Sequence, residues 1–341
     1  MWITSKFQLK SYLYDDIIII GGYMFVQILL LVVGFFILIK GADLFVDGAS
    51  SIANNYKVPK IFIGLTIVAF GTSAPELAVS IKSIISNNHD IVLGNVLGSN
   101  ILNILLILGI SSLIKPLIVK SGTIKKEIPI LLLMTSVFIV LISDNVFNSN
   151  QLNSFTRSDG IILLLFFLVF IYYLVEITRS KEKILDDEIK LMSLKKSFLF
   201  TGLGIIMIFF GGEFVVNSTT NIAEALNVSK KMISLTIIAL GTSLPELVTS
   251  ITATKKGECD IAIGNVVGSS IFNIGIVLAL PVAIFGGIDK INFNNLDMIV
   301  MLLSGVLLFV FSVNDKKISK KEGIMFLLFF SIYYSFVVIN G

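Results

Sequence analysis

Cysteine and histidine are almost missing from this chain: Cys259 and His89 are the only examples of each. One thiol rules out an intramolecular disulfide and any cysteine-based metal cluster. One imidazole leaves no histidine-rich zinc site and no histidine proton relay. Charge is scarce as well. Asp, Glu, Lys and Arg make up 14% of the residues, against about 25% in a soluble globular domain. The small net charge of +3 comes from basic residues in short loops, so nothing in it points to nucleic acid. The first sixteen residues are polar and mixed, and no clear signal-peptide cleavage site follows them.

What the chain has in quantity is apolar surface. Hydrophobic residues make up 55% of it, and the mean hydropathy is +0.94. Apolar runs of about 20 residues, the length a helix needs to cross a bilayer, recur from end to end. A strand barrel would show alternating segments of about 10 residues instead. The fold expected is therefore an all-α integral membrane protein with ten transmembrane helices, near residues 22–45, 61–85, 91–113, 127–143, 160–177, 198–222, 231–254, 261–286, 296–313 and 323–340. A polar N-terminal segment, 1–21, precedes a first five-helix repeat over 22–177. A charged linker, 178–197, leads to a second five-helix repeat over 198–341. With the N-terminus outside, eighteen basic residues fall in inner segments and six in outer ones. That bias places both termini outside a cell membrane and the linker in the cytoplasm. The bilayer is the one partner this implies, and the oligomeric state stays open.

The two halves repeat each other. At an offset of 170, residues 61–110 and 231–280 match without a gap at 24 of 50 positions. Five spans is an odd number, so the second half is expected upside down relative to the first. Inverted repeats with interrupted helices meeting near the midplane are the architecture of many secondary transporters.

One phrase stands out in both copies: Gly71-Thr72-Ser73-Ala74-Pro75-Glu76 and Gly241-Thr242-Ser243-Leu244-Pro245-Glu246. A charge at bilayer depth costs at least about 2.5–3.5 kcal/mol and is a functional site by default. Pro75 and Pro245 have no amide hydrogen and crowd the carbonyls of Gly71 and Gly241. A kink is expected there, with backbone oxygens near Ala69–Gly71 and Ala239–Gly241 losing their partners. Ser73 and Glu76, three apart, can share a helix face, as can Ser243 and Glu246. The next span adds a polar stripe at i, i+4, i+8: Asn95, Ser99 and Asn103, repeated as Asn265, Ser269 and Asn273. Alone, this stripe reads equally well as interhelical hydrogen bonding. Beside the carboxylates in both halves it reads as part of a shared ion site.

Such a site offers two carboxylates, hydroxyls, amide oxygens and carbonyls, with no sulfur or imidazole. That is a hard-cation ligand set, suited to calcium and to sodium and less naturally to magnesium. Glu76 and Glu246 together carry two negative charges, which one calcium or two sodium ions neutralise. A site that either ion can fill, but not both, couples their movement in opposite directions.

The paired motifs, GTSAPE with GNVLGSNILN and GTSLPE with GNVVGSSIFN, resemble the two alpha-repeats of the sodium/calcium exchanger family, within the calcium/cation antiporters. The resemblance implies a secondary active antiporter that exchanges sodium for calcium by alternating access, three sodium ions per calcium. It also implies that spans 1 and 6 slide as a pair past an eight-span core. By motif position it implies calcium ligands at Glu76 and Glu246, with the backbone oxygens of Thr72 and Thr242. Sodium sites are implied at Ala69, Ser73, Ser99, Ala239, Ser243 and Ser269, with Asn103 and Asn273 at the centre. The transported ions are Ca2+ and Na+, and no cofactor is implied. Many relatives carry Asp at the position of Asn273. An amide there adds no charge and cannot titrate, so the exchange is expected to need no potassium.

Three other readings are weighed. A calcium/proton antiporter would load protons on the same glutamates, but the Thr-Ser pairs resemble the sodium-using branch. A channel has no reason to bury two carboxylates at one compact site. An intramembrane enzyme lacks a base beside its serines, so no enzymatic activity is expected. Of the remaining polar residues, Asp43, Asp47 and Glu213 are expected at the membrane surface or lining an ion entrance. His89, Asp90 and Cys259 are expected in loops, and Asp144 and Glu176 at interfaces.

Overall fold

The computed structural model describes residues 2–86, 88–144, 153–179, 192–226, 239–289, 291 and 295–340. Helix α1 runs from Trp2 to Tyr56. It starts inside the expected polar segment and passes well beyond the expected end of the first span near residue 45. No proline falls within it, and Val58-Pro59 is the first backbone barrier. Lys57 ends it with a φ of 53°. The extra turns are held by buried Val46, Ala49, Ile52 and Ala53.

The counterpart of α1 at the 170 offset is α8, Leu194–Ala225. The two pack antiparallel. Gly34 lies against Val215, Gly41 against Ile208 and Gly48 against Thr201. A Cβ on Gly204 would sit 2.6 Å from the Phe45 amide nitrogen, and one on Gly211 2.6 Å from that of Leu38. Only glycine lets the two backbones come this close. Equivalent helices running in opposite directions are what an inverted second half requires.

In the first half α1 is followed by α2 (Lys60–Thr72) and α3 (Ala74–Ile85), bent by 45° at one residue. Then come α4 (residues 89–114), β1 (Leu117–Ile118), α5 (Ser121–Lys125), α6 (Glu127–Ile142) and α7 (Arg157–Arg179). The second half follows α8 with α9 (Ala239–Thr242), α10 (Leu244–Lys255), α11 (Cys259–Phe285), α12 (Asn295–Asp315), β2 (Lys317–Ile318) and α13 (Lys320–Asn340). β1 and β2 pair antiparallel with Leu117 opposite Ile318. Phe155, just before α7, bridges to Ile288, just after α11. In both places a connector of one half is tied to a connector of the other.

Among the described residues, seven helices are long and apolar enough to cross a membrane, or eight with the bent pair α2–α3. The expected span 127–143 is α6, with 16 residues. At about 1.5 Å per residue it rises about 24 Å, short of a hydrocarbon core of about 30 Å. The expected span 231–254 is described only from Ala239, and most of the linker lies outside the described residues.

α11 lies deepest. Every residue of Cys259–Phe272 except Asp260 is buried, so the polar stripe it carries is sealed from lipid. Cys259 is thus not a loop thiol. It opens α11 and is buried, because α11 begins two residues earlier than its apolar run suggests. His89 likewise opens α4 rather than lying in a loop. Two carboxylates away from the motifs, Glu127 buried and Asp297 half-buried, tie neighbouring helices together. Tyr173 of α7 donates to Glu127 of α6. Tyr333 of α13 donates to Asp297 of α12 at 2.8 Å. Glu127 and Asp297 are 170 apart, so this clasp is also duplicated.

Candidate functional site

The two breaks are the same structure built twice. Ser73 interrupts α2–α3 with φ −84° and ψ 6°, and Ser243 interrupts α9–α10 with φ −88° and ψ 5°. In each, proline occupies the first turn of the new helix, where its missing amide hydrogen costs nothing. The glutamate follows in that same first turn, where the helix dipole favours an anion. The Ala69 carbonyl is not orphaned by the break, as the sequence suggested. It accepts the Ser73 amide at 3.0 Å and the Ser269 hydroxyl at 3.4 Å. A one-residue interruption leaves room for that turn to close.

Glu76 is 1% exposed and Glu246 is fully buried. The serines do not serve the glutamate of their own motif. Ser73 Oγ donates to Glu246 Oε1 at 3.0 Å, and Ser243 Oγ approaches Glu76 Oε1 at 3.5 Å. The two breaks therefore cross, each hydroxyl reaching the opposite half's carboxylate. Ser99 lies 3.2 Å from Ser243, and Ser269 lies 3.3 Å from Thr72. Thr242 also bonds Glu76, and Thr72 and Ser269 bond Glu246, so one cluster joins Glu76, Glu246, Thr72, Thr242, Ser73, Ser243, Ser99, Ser269 and the Ala69 carbonyl. Ala239 opens α9 beside the second break.

Asn103 and Asn273 follow Ser99 and Ser269 by one helical turn and are fully buried. Both stand where the helix widens to π-helical hydrogen bonding, at Leu102–Ile107 and Asn273–Leu278. Such local widening recurs at functional sites.

Several atoms here lack a partner among the described residues: Glu76 Oε2, Glu246 Oε2, and both amide atoms of Asn103 and of Asn273. Buried polar atoms are normally satisfied, and leaving one unmet costs about 1–3 kcal/mol, more for a charge. Two carboxylate oxygens and two amide oxygens held together in a buried place fit a hard cation.

Asn95 and Asn265 link the breaks as well as extending the stripe. Asn265 Nδ2 donates to the Glu246 carbonyl at 3.2 Å and to Ser250 Oγ at 2.9 Å, and its Oδ1 lies 3.0 Å from Thr72 Oγ1. Asn95 makes the matching set to the Glu76 carbonyl, Ser80 and Thr242 at 3.2, 3.5 and 3.5 Å. Ser80 and Ser250 were not singled out at all. Their signal was available: each lies four residues after its glutamate, in both copies.

Asp43 and Asp47 are engaged by Lys256 at 3.6 and 2.6 Å, which fits the surface reading, and Glu213 is exposed.

The chain is similar to known proteins over most of its length. The family profile described as sodium/calcium exchanger protein matches residues 26–176 and 196–339. The inner membrane protein YrbG of Escherichia coli K12 is 37% identical over 288 residues, covering 82% of this chain and 86% of YrbG. The sodium/calcium exchanger MaX1 of Methanosarcina acetivorans is 29% identical over 350 residues, covering 92% of this chain and 98% of MaX1. The solved structure of the sodium-calcium exchanger NCX_Mj, soaked with Na+ and Sr2+, superposes with a TM-score of 0.80 at 32% identity, over 92% of this chain and 99% of that one.

Proposed function

The chain belongs to the sodium/calcium exchanger protein family, and from that premise we propose that it is a secondary active antiporter exchanging Na+ for Ca2+. The family is one of transporters, and the relatives named above are exchangers or membrane proteins. In this reading ten spans form two inverted five-helix repeats, with both termini outside and the linker in the cytoplasm. The antiparallel pairing of α1 with α8 supports the inversion. Ca2+ binds Glu76 and Glu246 with the backbone oxygens of Thr72 and Thr242. Na+ ions bind with help from Ala69, Ser73, Ser99, Ala239, Ser243 and Ser269, and Asn103 and Asn273 stand between them.

The observation that carries the proposal is the crossing of the breaks. Each carboxylate has one oxygen held by the opposite repeat and one oxygen without a partner among the described residues. The unpartnered oxygens need a cation, and the pair needs two positive charges. One Ca2+ supplies them at one point, and Na+ ions supply them at separate points. Because the ligands belong to both halves, a movement of one half against the other exposes the ions to one side at a time. Three Na+ per Ca2+ moves one net charge in each cycle.

Proteoliposomes discriminate this from the neighbouring readings. Calcium uptake should be driven by a sodium gradient and not by an equal proton gradient. Uptake driven only by protons would identify a calcium/proton antiporter, and uptake indifferent to both gradients would identify a channel.

A further inference from the structure

Four contacts at the crossed site occur in both halves, and three of them are shorter at the Asn265 end. Thr72 Oγ1 lies 3.0 Å from Asn265 Oδ1, whereas Thr242 Oγ1 lies 3.5 Å from Asn95 Oδ1. Ser250 is 2.9 Å from the Asn265 amide, and Ser80 is 3.5 Å from the Asn95 amide. Ser73 to Glu246 is 3.0 Å, and Ser243 to Glu76 is 3.5 Å. Only the bond from each asparagine to the glutamate carbonyl is equal, at 3.2 Å. Burial divides the same way. Thr72 and Asn265 are 1% and 0% exposed, while Thr242 and Asn95 are half-buried. One end of the site is shut and the other is eased.

Hydrogen-bond chemistry shows what the asparagine does. The Glu246 carbonyl can only accept, which turns the NH2 of Asn265 toward it. Oδ1 then needs a donor, and the Thr72 hydroxyl lies beside it. If that hydroxyl bonded the Val68 carbonyl 3.1 Å away instead, two oxygens would face each other at 3.0 Å in a buried place. Asn265 thus ties the end of α2 to the start of α10. Asn95 carries the groups to do the same between Thr242 and Glu76.

The shut end also carries ion pairs. Lys256 holds Asp47 at 2.6 Å, Lys60 holds Glu258 at 2.8 Å and Lys120 holds Asp260 at 2.6 Å. Asp260 lies within about 10 Å of Asn265 along α11. At the 170 offset Lys256 becomes Ser86 and Asp47 becomes Asn217, so the eased end cannot form the first of these pairs.

We infer that Asn265 and Asn95 are alternating latches, each closing its end of the site by accepting the threonine hydroxyl of the opposite repeat. They are positioning residues that act through Thr72 and Thr242. Here the Asn265 latch is closed and the Asn95 latch is relaxed, and exchanging the conformations of the repeats would reverse them. The inference rests on the exchange proposed above.

Thr72→Val and Thr242→Val delete one hydroxyl each while keeping the side-chain shape, and Thr72→Ser and Thr242→Ser restore it. The readout is the Ca2+ concentration for half-maximal sodium-driven exchange, measured from each face of uniformly oriented proteoliposomes. Thr72→Val should lower it on the face nearer Asn265 and raise it on the other, by about two- to tenfold, the reach of one hydrogen bond. Thr242→Val should do the reverse, and each serine variant should lose the opposed-face pattern of its valine counterpart. If a valine variant does not fold, Asn265→Ser and Asn95→Ser should give the same pair of opposite shifts. Shifts of one sign on both faces, or no rescue by serine, would overturn the latch. Wild-type protein without sodium-driven exchange would overturn the proposed function itself, a separate and earlier result.

Discussion

A serine hydroxyl that donates to the opposite repeat's glutamate both satisfies a buried oxygen and joins the two halves. Ser73 does this at 3.0 Å and Ser243 at 3.5 Å. Bonds to charged groups are worth about 1.5–3 kcal/mol, so Ser73→Ala should raise the Ca2+ concentration for half-maximal exchange by about tenfold or more. Ser243→Ala should have the smaller effect in the state described here. Equilibrium Ca2+ binding to the purified variants checks both. Much at this scale was legible without coordinates. A carboxylate, two hydroxyls and a proline repeated in apolar spans marked where the two helix breaks meet. The crossing was not legible, because a spacing of three on one helix says only that Ser73 and Glu76 can share a face. Which carboxylate each serine meets depends on how two broken helices pass each other, and that is a property of the packing.

At the scale of elements, the glycine seam between α1 and α8 holds the closest backbone approach described above. Gly211→Ala would place a methyl group 2.6 Å from the Leu38 amide nitrogen and 3.0 Å from the Gly34 carbonyl. Backbone cannot yield as a flexible side chain can, so the variant should lose about 1–3 kcal/mol of stability. Gly202→Ala, on the exposed side of the same helix with nothing within 4 Å among the described residues, should be neutral or slightly stabilising. Thermal unfolding in detergent separates the two, and equal losses would contradict the seam. Seven of the expected spans, and an eighth as the bent pair α2–α3, were readable from the apolar runs among the described residues, while helix ends were not. α1 outruns its apolar stretch because packing against α8, rather than hydropathy, holds its later turns. β1 and β2, two residues each, leave no periodic signal to read. The Glu127–Tyr173 and Asp297–Tyr333 clasps were visible only as isolated polar residues until the fold paired them.

Across the whole molecule, the duplication at an offset of 170 recurs in the packing. The offset of 170 links α1 to α8, break to break, and one latch to the other. It was the most informative feature of the sequence, since every contact found in one half could be sought in the other. Three sodium ions per calcium would make each cycle carry charge across the bilayer. An imposed membrane potential should therefore speed or slow exchange according to its sign, read as Ca2+ flux in potential-clamped proteoliposomes. Potassium on either side should leave the rate unchanged, because Asn273 supplies an oxygen without a charge. Exchange that stops when potassium is withdrawn would remove that role for Asn273.

The central claim is that Glu76 and Glu246, delivered by opposite repeats, form one site at which Ca2+ and Na+ compete. Sodium-gradient-driven Ca2+ uptake by proteoliposomes containing wild type, Glu76→Gln or Glu246→Gln tests it most directly. Each substitution removes one charge and keeps the shape, so each alone should abolish calcium uptake that the wild type performs. Calcium uptake left intact in both variants would contradict the claim.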